Sequence, residues 1–197
     1  MKTANAAILL LSALALTGCG DGLSKGSLGH IIDARLQEHH EPVCWSLRDN
    51  SVSWPVNVDF GLDSPAREPV LVGAVEAGIL DLQNPNSQLP LGQQLLIGNA
   101  SRNRWAIDLT EKGRKAGAWD REKGLCIGRR RVHEVVRWTE PADDDGVRYT
   151  EVTYTWTLQD APKWVEPSHF AGVEGAVEPV ESSMTLVKTS DGWRSPY

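Results

Sequence analysis

Residues 147–158, VRYTEVTYTWTL, decide the fold class of the C-terminal half of this 197-residue chain. Larger, mostly apolar side chains alternate here with polar ones. One face would carry Thr150, Val152, Tyr154, Trp156 and Leu158, and the other Glu151, Thr153, Thr155 and Thr157. Because successive side chains of a strand point to opposite faces, this alternation predicts a β-strand with one buried face.

The sequence on both sides of this strand also predicts β-structure. Residues 126–138 contain several valines, and residues 184–194 predict a final strand with a turn. The segment 141–146, PADDDG, predicts a hairpin turn, because its aspartates are adjacent whereas a calcium loop needs oxygen ligands at alternating positions. We therefore expect an antiparallel β region over 121–197, with an irregular excursion near 160–170.

The region 27–120 predicts a mixture of helices and strands. Ser27 would cap a helix that runs to about His40, with Leu28, Ile31, Ile32 and Leu36 on one face. His39, His40 and Glu41 are consecutive and cannot all converge on one metal ion, so no metal site is predicted there. Further helices and strands are predicted at 69–80 (a helix with proline in its first turn), at 93–97 and 105–109 (a hairpin) and at 110–117 (a short basic helix).

Part of this region resembles winged-helix transcription regulators. The resemblance rests on a helix end, Glu76-Ala77-Gly78-Ile79-Leu80, and on Ile107-Asp108-Leu109-Thr110-Glu111-Lys112-Gly113-Arg114. It implies an α+β fold in which a winged-helix-like N-terminal half packs with the C-terminal antiparallel β-sheet. It does not imply DNA binding, because residues 70–80 contain no Lys or Arg and the chain has a net charge of −6.

The first nineteen residues resemble a bacterial lipoprotein signal. Lys2 precedes an apolar run over 6–16 that is shorter than the about 20 residues of a membrane-spanning helix, and the box Leu16-Thr17-Gly18-Cys19 follows. The resemblance implies a signal peptide over 1–18, lipid such as palmitate on Cys19, and a tether over 19–26. Gly20 directly after the cysteine favours the periplasmic face of the outer membrane over the inner membrane.

Once Cys19 is acylated, two cysteines remain, Cys44 and Cys126. In an oxidising periplasm they most simply form a disulfide. A reactive thiol or a metal pair is the alternative, but no CxxC spacing and no adjacent His supports it.

The C-terminal half also resembles a group of uncharacterised secreted or lipid-anchored bacterial proteins. The motifs that carry this likeness are Cys126-Ile127-Gly128, Trp138-Thr139-Glu140-Pro141 and Asp160-Ala161-Pro162-x-Trp164. The resemblance implies no particular activity.

Catalytic motifs are missing from the sequence. There is no Gly-x-Ser-x-Gly, and His133-Glu134-Val135-Val136-Arg137 lacks the second His of a zinc motif. We expect no catalytic residue, metal or cofactor. The leading interpretation is a non-enzymatic envelope protein that binds a protein or peptidoglycan partner, with Arg129, Arg131 and Trp164 as its candidate contact surface. The alternatives are a periplasmic hydrolase acting on cell-wall material and, if the chain stays in the cytoplasm, a DNA-binding regulator.

Overall fold

The computed structural model describes residues 23–39, 42–61, 63–84 and 104–196. Its elements in chain order are α1 (Lys25–His39), β1 (Val43–Trp45), β2 (Val56–Asp59), a 3₁₀ helix (Pro65–Arg67), α2 (Pro69–Glu76), β3 (Leu80–Gln83), β4 (Arg104–Leu109), α3 (Glu111–Ala116), β5 (Trp119–Asp120), β6 (Gly124–Trp138), β7 (Ala142–Asp144), β8 (Val147–Gln159), a 3₁₀ helix (Pro167–Phe170), β9 (Val180–Thr189) and β10 (Gly192–Arg194). The predicted signal peptide, Cys19 and the predicted strand at 93–97 lie outside the described residues.

A large antiparallel sheet dominates the described structure. Its strands follow the order β1-β6-β8-β9-β10, with β5 added to β6 and β7 added to β8, and the sheet curls into a half-barrel. The strand predicted at 147–158 is confirmed as β8, which lies between the long strands β6 and β9. A second sheet has three antiparallel strands in the order β2-β4-β3.

Apolar side chains form two clusters, and each draws residues from both sides of position 120. The first gathers Trp45, Leu71, Ile79, Ile107, Leu125, Ile127 and Phe170 around α2 and the small sheet. The second places Leu28, Ile32 and Leu36 of α1 against Val135, Val152, Tyr154, Trp156 and Leu186 of the large sheet. The two regions predicted over 27–120 and 121–197 therefore share their cores.

The prediction of a winged-helix-like N-terminal half is wrong. Such a unit needs its helices packed together, but α1 packs on β6, and α2 packs on the 3₁₀ helix Pro167–Phe170. The physical reason is that the fully buried Leu28 and Ile32 find a wide apolar face on the large sheet. In addition, β4 lies between β2 and β3 in a three-stranded sheet instead of forming a two-stranded wing.

Several local predictions in the same region are confirmed. Helix α2 begins at Pro69 as predicted but ends at Glu76 instead of at position 80, where β3 begins, and Gly78 follows the helix with a left-handed φ of 66°. Thr110 caps α3, since its hydroxyl oxygen accepts a hydrogen bond from the Gly113 N–H at 3.0 Å. Helix α1 instead begins at Lys25, two residues before the predicted cap, and the hydroxyl of Ser24 accepts from the Ser27 N–H.

The predicted disulfide between Cys44 and Cys126 is confirmed. The two cysteines are direct cross-strand partners of β1 and β6, with their Cα atoms 4.0 Å apart. The bridge closes a separation of 82 positions. It therefore fixes the chain between α1 and the small sheet to the long strand of the large sheet.

Candidate functional site

Strand β6 positions the polar residues that sequence reasoning singled out. It spans fifteen residues, and its register with β8 shifts between Val132 and Glu134 and again between Val135 and Arg137. An extra residue in one strand of a pair bends that strand and re-aims its side chains. His133 is the unpaired residue of the first shift and is exposed at the edge of a cleft between β6 and α1.

An ion-pair network centred on Arg131 joins β6 to α1 beside this cleft. One guanidinium nitrogen, Nη1, donates to Oδ2 of Asp33 on α1 at 3.0 Å, and Nη2 donates to Oδ2 of Asp160 after β8 at 3.2 Å. The second Asp33 oxygen accepts from the Val132 backbone N–H at 3.1 Å. The hydrogen bonds with Asp160 and then Asp33 raise the pKa of Arg131, so its charge is committed to these two carboxylates.

A second ion pair lies within the lining of the cleft. Lys25 Nζ donates to Glu134 Oε1 at 2.8 Å, joining the first residue of α1 to β6. This bond, together with the positive charge of Lys25, lowers the pKa of Glu134. Both side chains are more than half exposed, so the pair is worth little to stability at physiological salt.

The cleft itself is open, with a lining that is about equally polar and apolar and a volume of about 440 Å³. Its lining residues are Lys25, Gly26, Gly29, His30, Asp33, Val132, His133, Glu134 and Val135. Both carboxylates of the lining are already held by cations, whereas a general base needs a carboxylate or imidazole that is free to take a proton. The described residues contain no group of three or more His, Cys, Asp or Glu side chains that could hold a metal ion.

The three residues of the candidate contact surface have different environments. Arg129 is exposed and pairs with Gln159 across the β6–β8 ladder. Arg131, by contrast, is engaged by Asp33 and Asp160, with only 26% of its side chain exposed. The intervening Arg130 places its guanidinium carbon 4.6 Å from the ring centroid of Trp156, a cation–π contact that the sequence did not indicate.

Trp164 is a core-packing residue as well as a surface candidate. It is half-buried, packs at the margin of the first apolar cluster, and its ring centroid lies 5.9 Å from that of Phe170. All eight tryptophans lie within the described ranges, and each is buried or half-buried. Of the three predicted contact residues, Arg129 is therefore the one with most of its side chain available to a partner, and the contact surface as a whole stays a prediction.

Sequence reasoning missed the partners of these residues. Asp33 lies 98 positions before Arg131, Asp160 lies 29 positions after it, and Lys25 and Glu134 are 109 positions apart. No sequence motif links any of the four to its partner. The approach of α1 to β6 brings Asp33 and Lys25 to their partners, and the pairing of β6 with β8 brings Asp160 to Arg131. A further apolar groove of about 320 Å³ lies between α2 and the small sheet, lined among others by Pro65, Val72, Val75, Leu82 and Trp105.

Comparison with other proteins adds no assignment. No protein-family model matches the chain, no curated protein matches its sequence, and no solved structure matches its fold. No described helix has the length and apolar character needed to cross a membrane.

Proposed function

We propose that this chain is a lipid-anchored protein of the bacterial cell envelope with a non-enzymatic binding or structural role. The observation that carries the proposal is the box Leu16-Thr17-Gly18-Cys19 directly after a short apolar run. Lipid on Cys19 would hold the folded domain at a membrane, with the periplasmic face of the outer membrane favoured. The envelope partner would be another protein or peptidoglycan.

Two properties of the fold support this proposal. The Cys44–Cys126 disulfide suits an oxidising compartment, because cytoplasmic thiols are kept reduced. The two carboxylates of the α1–β6 cleft, Asp33 and Glu134, are held by cations, as in a structural contact, rather than left free for proton transfer. Arg129 is the exposed cation of the candidate surface and suits an anionic group on the partner.

Mass spectrometry of the full chain expressed in a bacterial host tests the anchor. We expect the wild type to begin at Cys19 with two or three acyl chains, and we expect Cys19→Ala to be neither acylated nor held in the membrane fraction. The same non-reducing sample reports whether Cys44 and Cys126 are linked. An uncleaved, unacylated wild-type chain would contradict the proposal.

Cross-linking in living cells tests the binding role. A photoreactive residue at Arg129 should capture an envelope protein or peptidoglycan. The matched control is Arg137, an exposed arginine farther along the same strand. Capture of the same species with equal yield from both positions, or none from either, would count against Arg129 as a contact residue.

A periplasmic hydrolase acting on cell-wall material is the second candidate. The observation in its favour is that His30 and His133 line the same open cleft beside Asp33 and Glu134. Purified protein incubated with peptidoglycan sacculi distinguishes the two proposals. Soluble fragments that are released by the wild type and lost in both His30→Ala and His133→Ala would favour the hydrolase.

A further inference from the structure

Strand β9 has an unpaired edge. Residues 180–187 of β9 pair with β8 on one side, but on the other side β10 reaches only residues 187–189. Residues 180–186 therefore have no neighbouring strand on that side in the part of the chain that the structure describes. This edge lies at the end of the large sheet, next to a short terminal strand.

The register shows which backbone groups point outward from this edge. The turn at 190–191 makes Thr189 and Gly192 the closing hydrogen-bonded pair of the β9–β10 hairpin. Since orientation alternates along a strand, the N–H and C=O groups of odd-numbered residues point away from β8. Glu181, Ser183 and Thr185 thus direct six backbone groups to the open edge.

The hydrogen bonds of β8 independently show which residues of β9 direct their backbone groups toward β8. The Glu151 carbonyl faces the β6 side and accepts from the Thr139 N–H, whereas the Leu158 N–H faces the β9 side and donates to the Gly175 carbonyl. Odd residues of β8 therefore face β6, and even residues face β9. Even residues of β9 must then face β8, in agreement with the hairpin.

Among the described residues, the edge of β9 over 180–186 carries one of the usual protections of an edge strand, the charged side chain of Glu181. Natural edges are blunted by Pro, by charged side chains, Lys above all, by bulges or by covering elements. This stretch reads VESSMTL, contains no Pro or Lys, and pairs with β8 without a register shift. The chain after β10 cannot complete the ladder, because Pro196 would stand opposite Thr185 and has no N–H to donate.

We infer that a second copy of this chain pairs with the free edge of β9, β9 against β9, to form a two-fold symmetric antiparallel dimer. With Ser183 opposite Ser183 of the second copy, Glu181 stands opposite Thr185 and Thr185 opposite Glu181. Each of these three pairs then exchanges two hydrogen bonds, so all six outward groups of both copies are satisfied. A closed two-fold contact of this kind uses the same surface on each subunit.

The side chains fit this register. Glu181 is the single charged residue of 180–186, and the register places it opposite a threonine rather than opposite its own copy. On the face that contacts the core, Val180 stands opposite Leu186 and Ser182 opposite Met184 of the second copy. Leu186 is already fully buried within each copy, so Val180 and Met184, which lie half-buried at the margin of the cluster beneath β8 and β9, are the apolar side chains that gain burial across the symmetry axis.

Cysteine cross-linking of the purified full-length chain tests this register. Cα atoms of a hydrogen-bonded antiparallel pair are about 5.5 Å apart, within the range that a disulfide bridges. Copper–phenanthroline, which oxidises two thiols to a disulfide, should therefore link Ser183→Cys into a dimer. Thr185→Cys is the matched control, because in this register its two copies lie roughly 13 Å apart along the strands. The wild type measures any background linkage through Cys19.

A proline substitution separates dimerisation from folding. The Ser183 N–H points away from β8, so Ser183→Pro removes no hydrogen bond of the monomer sheet and is expected to fold. The double variant Glu181→Cys/Thr185→Cys should link two copies, and adding Ser183→Pro should abolish the linkage while adding Ser183→Ala leaves it. The inference would be overturned if Ser183→Cys stays monomeric after oxidation, or if Thr185→Cys links two copies as efficiently as Ser183→Cys. Both outcomes can be read even if the proline variant does not fold.

Discussion

Asp33 of α1 and Arg131 of β6 form an ion pair of 3.0 Å whose two side chains are each only 26% exposed. The other oxygen of Asp33 accepts the Val132 N–H at the point where β6 begins its bulge. One carboxylate therefore satisfies both a guanidinium and a backbone donor. It fixes how α1 lies on the sheet beside the apolar contacts of Ile32.

Removing the charge of Asp33 should cost more stability than removing that of Asp160. Both carboxylates bind Arg131, but the Asp160 side chain is 55% exposed and its interaction is better screened by solvent. We expect Asp33→Asn to lower the free energy of unfolding by about 1 kcal/mol and Asp160→Asn by a few tenths. Urea unfolding of the two variants measures this difference, and an equal loss would show that Asp33 has no special role in docking α1.

Loss of the disulfide should destabilise the fold more than any surface change. Closing a separation of 82 positions restricts the unfolded chain by about 4–5 kcal/mol in the chain-entropy model. The double variant Cys44→Ser/Cys126→Ser should lose up to that amount in urea unfolding. Wild-type protein unfolded with and without a reducing agent is the control, and a loss below about 1 kcal/mol in both comparisons would contradict the expectation.

Gly73→Ala should be destabilising, although alanine is the better helix former. A Cβ atom at Gly73 would lie 2.4 Å from a ring carbon of Phe170 and 2.7 Å from the His169 carbonyl oxygen, so α2 would have to move away from the 3₁₀ helix. Overpacking of this kind costs about 1–3 kcal/mol.

Gly29→Ala on α1 is the matched control for that substitution. Its Cβ atom would lie 3.5 Å from Val135, which is an ordinary contact, and removing a helical glycine gains about 0.5–1 kcal/mol. Thermal unfolding of both variants should give shifts of opposite sign. A destabilised Gly29→Ala would argue against the packing of α1 on β6. An unchanged Gly73→Ala would argue against the packing of α2 on the 3₁₀ helix Pro167–Phe170.

Acid should remove the stability contributed by two carboxylates. Backbone N–H groups of Lys123 and then Glu122 lower the pKa of Asp120, and Lys25 lowers the pKa of Glu134. Since both groups bind protons more weakly in the folded state, their contribution is present above the unfolded pKa of about 4 and is lost as pH falls through the folded value. Unfolding curves measured between pH 6 and pH 2 should therefore show falling stability.

Variants of Glu134 and Lys25 test how much of this pH dependence of stability comes from their ion pair. At low ionic strength, Glu134→Gln and Lys25→Met should each be slightly less stable than the wild type near neutral pH and should lose slightly less stability on acidification. The two variants should behave alike, because they break the same ion pair. If Lys25→Met keeps the full acid dependence of the wild type, the pair does not control the pKa of Glu134.

Sequence reasoning predicted the features that depend on local pattern. Strand β8, the Pro69 start of α2 and the Thr110 cap follow from side-chain period and from hydrogen bonds within a few residues. Sequence reasoning was less successful for the residues of the candidate contact surface. Arg129 is exposed, but Arg131 and Trp164 make contacts within the chain, with Asp33 and Phe170 among their partners. Those contacts depend on the packing of separate elements, which no local pattern encodes.

By itself, the sequence determined the antiparallel character of the C-terminal half and the pairing of Cys44 with Cys126. Alternation indicates the first, because strands with one buried face are typical of antiparallel sheets, and the second follows from the prediction that Cys19, the third cysteine, carries lipid. Only the tertiary structure decided where α1 lies. Its apolar stripe at Leu28, Ile32 and Leu36 suits any apolar surface, and burial free energy has no direction. The wide face of the large sheet binds that stripe, and this packing replaces the expected winged-helix-like unit.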